Sequence, residues 1–219
     1  PFSVTGQPNA MGGREVGGLA NQLAAHMNFD RPDDIDRVER FWNASRMARQ
    51  AGLKAIDMFR AAGDGRIRAL WIMGTNPAVS MPDAGRVRAA LKACSFVAMS
   101  DVTHTDTTRY ADVVLPAAAW GEKDGAVTNS ERRLSRQRSF LPAPGEARPD
   151  WRIICDVAGR MGFGGHFDYD GPASVFREHA ALSGFENDGA RLFDIGALAA
   201  ISDVDYEQFA PRLWPQSAK

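Results

Sequence analysis

The chain has 219 residues, 44% of them hydrophobic, and its 26 basic and 27 acidic residues leave a formal net charge of -1. This composition is typical of a soluble globular chain with a packed core. The charge balance argues against a nucleic-acid or membrane surface, and no stretch approaches the roughly 20 apolar residues of a membrane span. Cys94 and Cys155 lack disulfide or metal-site spacing, which favours buried thiols in a reducing compartment such as the cytoplasm.

The amino-terminal segment is rich in glycine. The first residue is Pro1 rather than a methionine, so we expect a segment excised from a longer protein. The run Gly12-Gly13-Arg14-Glu15-Val16-Gly17-Gly18 leaves two interpretations open. It wraps a phosphate at a helix start, or it forms a turn followed by a glycine-tolerant helix through Leu19, Leu23 and Met27.

Two helices are predicted before the centre of the chain. The first opens at Pro32 and ends near Trp42, and proline is favoured at the first position of a helix. The second runs from Ala51 to Ala62, where Gly63-Asp64-Gly65 ends it.

The central stretch predicts a parallel sheet. Short apolar runs bounded by turn formers are typical of strands buried on both faces, and three occur, at residues 69–73, 95–99 and 111–116. Between the first two, helical spacing places Val87, Ala90, Leu91 and Cys94 on one side and basic residues on the other, with Ser80 and Asp83 as a capping box. We therefore predict one α/β domain over residues 1–219, a Rossmann-like three-layer sandwich with a mainly parallel sheet.

The last third contains a basic cluster and further helices. Arg132, Arg133, Arg136 and Arg138 bind a diphosphate or form a solvated face, and both readings stay open. Asp150 is predicted to cap a helix that continues to about Met161. Two more helices are expected, at residues 173–182 and 203–209.

Polar residues follow the first two strands at the edge where open α/β folds bind ligands. Thr75 and Asn76 offer short donors suited to a phosphate or ribose, although a simple turn explains them equally well. Asp101 offers a carboxylate that accepts two hydrogen bonds from guanine N1 and N2, whereas adenine carries an acceptor at N1. The alternative for Asp101 is a cap for the hydroxyl-rich segment 102–108.

Other candidates are weaker on local sequence alone. Lys123 lies in a glycine-flanked turn, which leaves two interpretations open. Its ammonium binds a phosphate or pterin oxygen, or it is a solvated surface lysine. The four histidines show no zinc spacing, so we treat them as structural or surface residues and predict no metal ligand and no catalytic residue. The dinucleotide fingerprint Gly-x-Gly-x-x-Gly is absent after the first strand, which argues against NAD or FAD.

Taken together, four motifs in order resemble the molybdopterin oxidoreductase family, and within it the bacterial assimilatory nitrate reductases. The resemblance covers about residues 1–165. Its motifs run from Pro1 to Gly17, from Trp71 to Pro77, from Ala111 to Ala117, and from Glu122 to Arg133.

The resemblance implies a molybdenum ion held by two pterin guanine dinucleotides. Carried over by motif, the loop with Thr75 and Asn76 would contact one dinucleotide, and Ser100 with Asp101 would take its guanine and ribose end. Lys123 and Asp150 also fall on positions that touch this cofactor. The implied reaction is reduction of nitrate to nitrite.

The resemblance also implies what lies elsewhere in the parent enzyme. The family's cysteine motif for an iron–sulfur cluster, its molybdenum-ligating side chain and its carboxyl-terminal domain have no counterpart in these residues. We therefore expect an inactive fragment whose partners are the remaining domains of the same polypeptide and an electron-donor protein or NAD(P)H-linked reductase. The alternatives are the same domain of a formate dehydrogenase or periplasmic nitrate reductase, and a non-catalytic binding or structural subunit that retains the fold.

Overall fold

The computed structural model describes residues 9–218, which form two compact units. Among these residues, unit 1 comprises 9–52, 124–138 and 165–218, and unit 2 comprises 53–123 and 139–164. In chain order the helices and strands are α1 (Ala10–Glu15), α2 (Pro32–Trp42), α3 (Ala55–Gly63), β1 (Ala69–Met73), α4 (Pro77–Ser80), α5 (Ala84–Ala93), β2 (Phe96–Asp101), β3 (Val113–Pro116), β4 (Gly125–Thr128), β5 (Arg133–Gln137), α6 (Asp150–Ala158), α7 (Pro172–Gly184), α8 (Asp203–Glu207) and β6 (Arg212–Leu213).

Unit 2 is built on a parallel sheet in the order β1-β2-β3. The predicted α/β class is therefore confirmed, and β1 has the predicted bounds. β2 is longer than predicted, because Asp101 pairs with Pro116 of β3. Ser100 and Asp101 are thus the last residues of a strand rather than the first residues of a loop.

The sheet of unit 2 buries one face. Leu70, Ile72, Val97 and Met99 pack into a core with residues of α3 and α5. On the other face of these strands, Met73 is 37% and Phe96 44% exposed. The prediction that the apolar runs are buried on both faces is wrong for the described residues, because α3 and α5 supply core residues to one face only.

The helices of unit 2 follow the predicted pattern with two corrections. Val87, Ala90 and Leu91 of α5 are buried as expected. The predicted capping box is wrong: Asp83 caps α5, whereas the Ser80 hydroxyl donates to the Asn76 carbonyl and belongs to α4. α3 begins at Ala55, four residues later than predicted.

Unit 1 contains an antiparallel sheet in the order β4-β5-β6 together with α1, α2, α7 and α8. Its α2, α7 and α8 lie where helices were predicted. Its core is mainly aliphatic and aromatic, with Met27, Val38, Leu182, Phe193 and Ile195 almost fully buried.

The glycine-rich opening is a tightly packed turn. The helix predicted through residues 19–27 is wrong, because α1 ends at Glu15 and the following residues form turns. Gly17 has φ +77, and an added Cβ would lie 2.6 Å from the Leu23 carbonyl carbon. Any side chain there would clash with backbone, which explains the glycine by packing alone. The part of this motif before residue 9 lies outside the described residues.

One residue of the arginine cluster, Arg136, stabilises the fold of unit 1. The Arg136 side chain is fully buried, lies 4.1 Å from the Tyr206 ring centroid and pairs with Asp124 and Glu207. Its guanidinium also donates to carbonyls of Gly125 and Tyr206. Neither predicted role, diphosphate binding or a solvated face, describes Arg136, because its donors are already used within unit 1.

Among residues 9–218, no helix combines the length and apolarity that crossing a membrane requires.

Candidate cofactor-binding site

The carboxyl ends of the three parallel strands form one edge of unit 2. Met73 lies beside Ser100, and Asp101 lies beside Pro116. The Gly74 N–H donates to the Ser100 carbonyl at 2.9 Å, and the Ala117 N–H donates to the Asp101 carbonyl at 3.0 Å. The loops after the strands therefore begin side by side, as the parallel sheet requires.

Asn76 joins the loop after β1 to the loop after β2. Its Oδ1 accepts hydrogen bonds from Thr107, from the hydroxyl at 2.7 Å and from the backbone N–H at 3.2 Å. Within the described part of the chain, Asn76 Nδ2 has no partner, so it retains its donors for a ligand. Thr75 is exposed beside it.

Ser100 has a structural role that the sequence did not reveal. It is 1% exposed, and its hydroxyl oxygen accepts a 2.9 Å hydrogen bond from Trp71 Nε1. The hydroxyl proton remains available, because this bond uses a lone pair of the oxygen.

Asp101 keeps acceptor capacity at the edge. One carboxylate oxygen accepts the Val102 N–H at 2.7 Å, and the other has no partner among the described residues. The predicted capping role therefore accounts for one of the two Asp101 carboxylate oxygens. Because a carboxylate offers about four acceptor positions, the side chain still suits a ligand with adjacent N–H donors.

Lys123 and Asp150 form an ion pair beyond β3. The Lys123 ammonium lies 2.6 Å from an Asp150 carboxylate oxygen, and the two side chains are 30% and 39% exposed. The predicted capping role of Asp150 is wrong, because Pro149 is the cap residue and Asp150 is the first residue of α6. Backbone bonds between Arg148 and the end of β3 bring α6 to this edge.

All six predicted site residues therefore belong to unit 2. Thr75, Asn76, Ser100 and Asp101 lie at the ends of β1 and β2, whereas Lys123 and Asp150 form a second group beyond β3. The described hydrogen bonds and ion pairs do not join the two groups. A ligand touching both would have to extend along the edge.

A cleft in the loop after β2 was missed. It has a volume of about 380 Å³ and is lined by His104, Thr105, Asp106, Thr108 and Arg109. The only signal in the sequence is the hydroxyl-rich composition of residues 102–108, which indicates a segment for Asp101 to cap and predicts no site. The structure has a three-residue 3-10 turn there, Thr108–Tyr110.

Comparisons with known proteins identify the family. The model of the molybdopterin oxidoreductase family matches residues 5–160. The chain belongs to this family. The predicted resemblance is therefore confirmed, and the family implies a molybdenum–pterin cofactor.

Several relatives are named nitrate reductases. The chain is 58% identical to a nitrate reductase of Klebsiella oxytoca over 99% of its own length and 25% of that protein. It is 36% identical to the assimilatory nitrate reductase catalytic subunit of Bacillus subtilis over 80% of its length. It is also 37% identical to an F420-dependent formate dehydrogenase subunit of Methanococcus maripaludis over 82% of its length. The chain spans about a quarter of the length of these relatives.

A solved structure shares the fold. The acetylene hydratase of Pelobacter acetylenicus matches with a TM-score of 0.59 and 17% identity, over 83% of this chain and 24% of that one. At this identity the likeness concerns the fold alone.

Proposed function

We propose that this chain is the cofactor-binding domain of a molybdenum-dependent nitrate reductase that reduces nitrate to nitrite. The observation that carries the proposal is the 58% identity to the Klebsiella oxytoca nitrate reductase over 99% of the chain. The identity to the formate dehydrogenase subunit is lower and covers less of the chain, which favours nitrate. We place the parent enzyme in the cytoplasm, in line with the assimilatory relative.

The residues at the carboxyl edge fit a guanine dinucleotide. Asp101 has an unpartnered carboxylate oxygen, and Asn76 has unpartnered amide donors, among the described residues. In this proposal Asp101 accepts from the guanine N–H groups, while Asn76 and Thr75 donate to the loop-side phosphate or ribose. Ser100 contributes mainly by holding Trp71.

Lys123 and Asp150 would act on a more distant part of the same cofactor. Lys123 brings a cation whose charge Asp150 already balances. A ligand oxygen that approaches Lys123 would therefore meet a hydrogen-bond donor in a fixed position, and the Lys123–Asp150 pair itself carries no net charge.

When bound, a bis-molybdopterin guanine dinucleotide would supply two-electron oxygen-atom-transfer chemistry. The present chain supplies orientation and hydrogen bonds for it. The iron–sulfur cluster, the metal-ligating side chain and the contact with an electron donor belong, in this proposal, to the remaining domains of the same polypeptide. We accordingly expect no nitrate reduction by these 219 residues alone, even with molybdate and a reduced dye.

The test is a calorimetric titration of the chain with GDP and, in parallel, ADP. The expected result is binding of GDP with at least about a tenfold preference, because a carboxylate facing the adenine N1 acceptor is left unpaired. Equal affinity for the two nucleotides would contradict the guanine assignment.

The alternatives need the longer polypeptide. Metal analysis distinguishes an enzyme from a non-catalytic subunit that retains the fold, since the latter would contain no molybdenum. Turnover with nitrate and with formate then decides the substrate.

A further inference from the structure

A pocket of unit 1 lies among three segments of the amino-terminal quarter of the chain, at residues 20–22, 28–30 and 49–52. It has a volume of about 340 Å³. Its lining includes the carboxamides Asn21, Asn28 and Gln50 together with Phe29, Asp30 and Arg49. All of these residues belong to unit 1, whereas the six candidate cofactor residues belong to unit 2.

Backbone contacts hold the segments of this pocket together. Gln22 and Asn28 form an antiparallel bridge. The Gly52 N–H donates a hydrogen bond to the Ala20 carbonyl at 2.7 Å. The turn at residues 20–22 therefore contacts each of the other two segments through the main chain.

Helix α2 fixes two of the segments a second time. The Asn28 N–H donates to the Asp34 carboxylate at 3.1 Å. The Arg49 guanidinium pairs with both Asp36 and Glu39. The lining is thus formed before any ligand arrives, so binding would cost little conformational entropy.

The pocket has no positive charge to spare. Arg49 is balanced by the two carboxylates of α2. Asp30 is exposed, and its carboxylate makes no ion pair or hydrogen bond with any other residue from 9 to 218. A phosphate or another anion would therefore meet an unpaired carboxylate, and like charges in one site repel each other.

The three carboxamides of the pocket are unused. The side chains of Asn21, Asn28 and Gln50 make no hydrogen bond within the part of the chain that the structure describes. Each carboxamide offers two N–H donors and one carbonyl acceptor. An ammonium group only donates, so a cationic ligand would leave these N–H groups unmatched.

One acceptor beside the carboxamides is buried without a partner. Gln22 Oε1 is inaccessible to solvent and accepts no hydrogen bond from a described residue. Because Gln22 and Asn28 are partners in an antiparallel bridge, their side chains project to the same side of it. Buried acceptors nearly always have a donor, and a ligand bound beside Asn28 can supply it.

These groups select a neutral ligand with several hydroxyls. A hydroxyl donates and accepts at once, which suits both carboxylate and carboxamide groups. Phe29 adds apolar surface for the C–H groups of a sugar ring. An extended peptide also donates and accepts, but peptides of that kind bind along a free strand edge, whereas here side chains of three segments converge. The pocket volume is within the range of small-molecule sites.

We propose that this pocket binds a neutral polyhydroxy compound of monosaccharide size. Its hydroxyls donate to the Asp30 carboxylate and to Gln22 Oε1, and they exchange hydrogen bonds with the carboxamides of Asn21, Asn28 and Gln50. The inference goes beyond the proposed function, since none of these residues belongs to the candidate cofactor-binding site.

The first experiment is an NMR titration of the 15N-labelled chain with D-glucose and with myo-inositol. The side-chain NH2 signals of Asn21, Asn28 and Gln50 report directly on the pocket. We expect saturable shifts of these signals with dissociation constants of roughly 1–10 mM, the affinity that about a dozen non-hydrogen atoms usually reach. Absence of saturable shifts with either compound up to about 50 mM would overturn the proposal.

Charged and peptide probes test the choice of ligand. Glucose 6-phosphate should bind about tenfold more weakly than glucose, because its phosphate meets Asp30. Protonated glucosamine should bind within about threefold of glucose. Equal or tighter binding of glucose 6-phosphate, or a larger gain with glucosamine, would overturn the assignment to a neutral ligand. Tighter binding of the capped peptide N-acetylglycinamide would assign the pocket to a peptide and overturn it too.

Gln50→Met locates the ligand. The variant should weaken glucose binding about fivefold, because it removes one carboxamide and keeps the length of the side chain. Gln208→Met is the matched control. Gln208 is an exposed glutamine of unit 1 whose side chain makes no hydrogen bond with another described residue. Equal effects of the two substitutions would refute the assignment.

Asp30→Asn should produce a gain of binding. Without the carboxylate, glucose 6-phosphate should bind about tenfold more tightly than it binds the unmodified chain. Asp168→Asn, at another exposed position of unit 1, should leave this affinity unaltered. No gain in Asp30→Asn would show that the carboxylate does not face the ligand, and the proposal would fail.

Gln22→Met separates binding from folding. Because Gln22 Oε1 has no partner among the described residues, its removal should leave the unfolding midpoint of the free chain unchanged or higher. The same change should weaken glucose binding several-fold. A lower midpoint with unaltered binding would show that the side chain has a structural role only, and it would reject the contribution of Gln22 to the site.

Discussion

The indole Nε1 of Trp214 donates a 2.7 Å hydrogen bond to the carboxylate of Glu15, 199 positions earlier in the chain. The Thr128 hydroxyl donates to the other carboxylate oxygen, also at 2.7 Å. Glu15 is 2% exposed, and burial raises its pKa although both hydrogen bonds oppose the shift. One buried side chain thus joins the glycine-rich opening, strand β4 and the end of unit 1.

Glu15→Ala should destabilise the chain by about 2–4 kcal/mol, because it leaves two buried donors unpaired and opens a cavity. Urea unfolding followed by tryptophan fluorescence measures the change. Glu146→Ala is the control, since Glu146 is exposed, and it should shift the free energy of unfolding by less than about 0.5 kcal/mol. A similar small shift for Glu15→Ala would contradict the anchoring role.

His179 should make unit 1 sensitive to acid. Burial, with a smaller contribution from nearby His26, lowers the pKa of His179 to about 4 from 6.5. Because the unfolded chain takes up this proton first, stability should be lost as the pH falls from about 6.5 to about 4. Glu15 offsets part of this loss in the wild type. Because its pKa is raised, the folded chain takes up that proton before the unfolded chain does.

His179→Phe removes the imidazole that takes up the proton. The ring centroids of His179 and Phe193 lie 5.4 Å apart, and a phenylalanine at position 179 can make the same ring contact. The variant should lose about 1–3 kcal/mol less stability than the wild type over that pH window. Urea unfolding at a series of pH values measures the difference. His166→Phe, at an exposed position of unit 1, should leave the pH profile unaltered. Parallel profiles for wild type and His179→Phe would reject the assignment.

Thr107→Val should destabilise unit 2 by about 1–3 kcal/mol. Thr107 is fully buried, and its replacement leaves the Ala78 N–H and the Asn76 side-chain Oδ1 without this hydroxyl. Thermal or urea unfolding gives the magnitude. Thr103→Val on the same loop is exposed and should be nearly neutral. Equal effects would show that the loop is not held through Thr107.

Asp101→Asn should reduce the preference for GDP over ADP about tenfold, since an amide N–H would face the guanine N–H groups. The bond to the Val102 N–H can persist, because the asparagine retains one carbonyl oxygen. Calorimetry with both nucleotides checks the ratio. Asp57→Asn, an exposed change on α3, serves as the control. An undiminished preference in Asp101→Asn would remove Asp101 from the guanine site.

Elements set by short-range patterns were predictable. The apolar run of β1 and the buried positions Val87, Ala90 and Leu91 of α5 agree with the structure. The pattern that predicts each of these elements spans only a few residues. Side chains alternate between the two faces of a strand every two residues and return to the same face of a helix every 3.6 residues. The placement of Asn76 and Asp101 at one edge followed as well, because parallel strands end together.

Side-chain partners across long separations were not predictable. The sequence predicts that Arg136 is a ligand-binding or surface residue, yet it is buried against Tyr206, 70 positions away. The sequence predicts that Asp150 caps a helix, yet its carboxylate accepts a hydrogen bond from Lys123. A charged residue has the same local signature in either setting, so only the fold decides which charges meet.

The sequence by itself determined the family, the α/β class and the edge at which the candidate residues lie, because motifs and periodicity are local properties of the chain. Tertiary structure decided the partners of Glu15, Ser100 and Asp150, and the existence of the cleft beside Thr105. Those features depend on which distant segments pack together and which polar atoms are left unpaired, and no short window of residues encodes either.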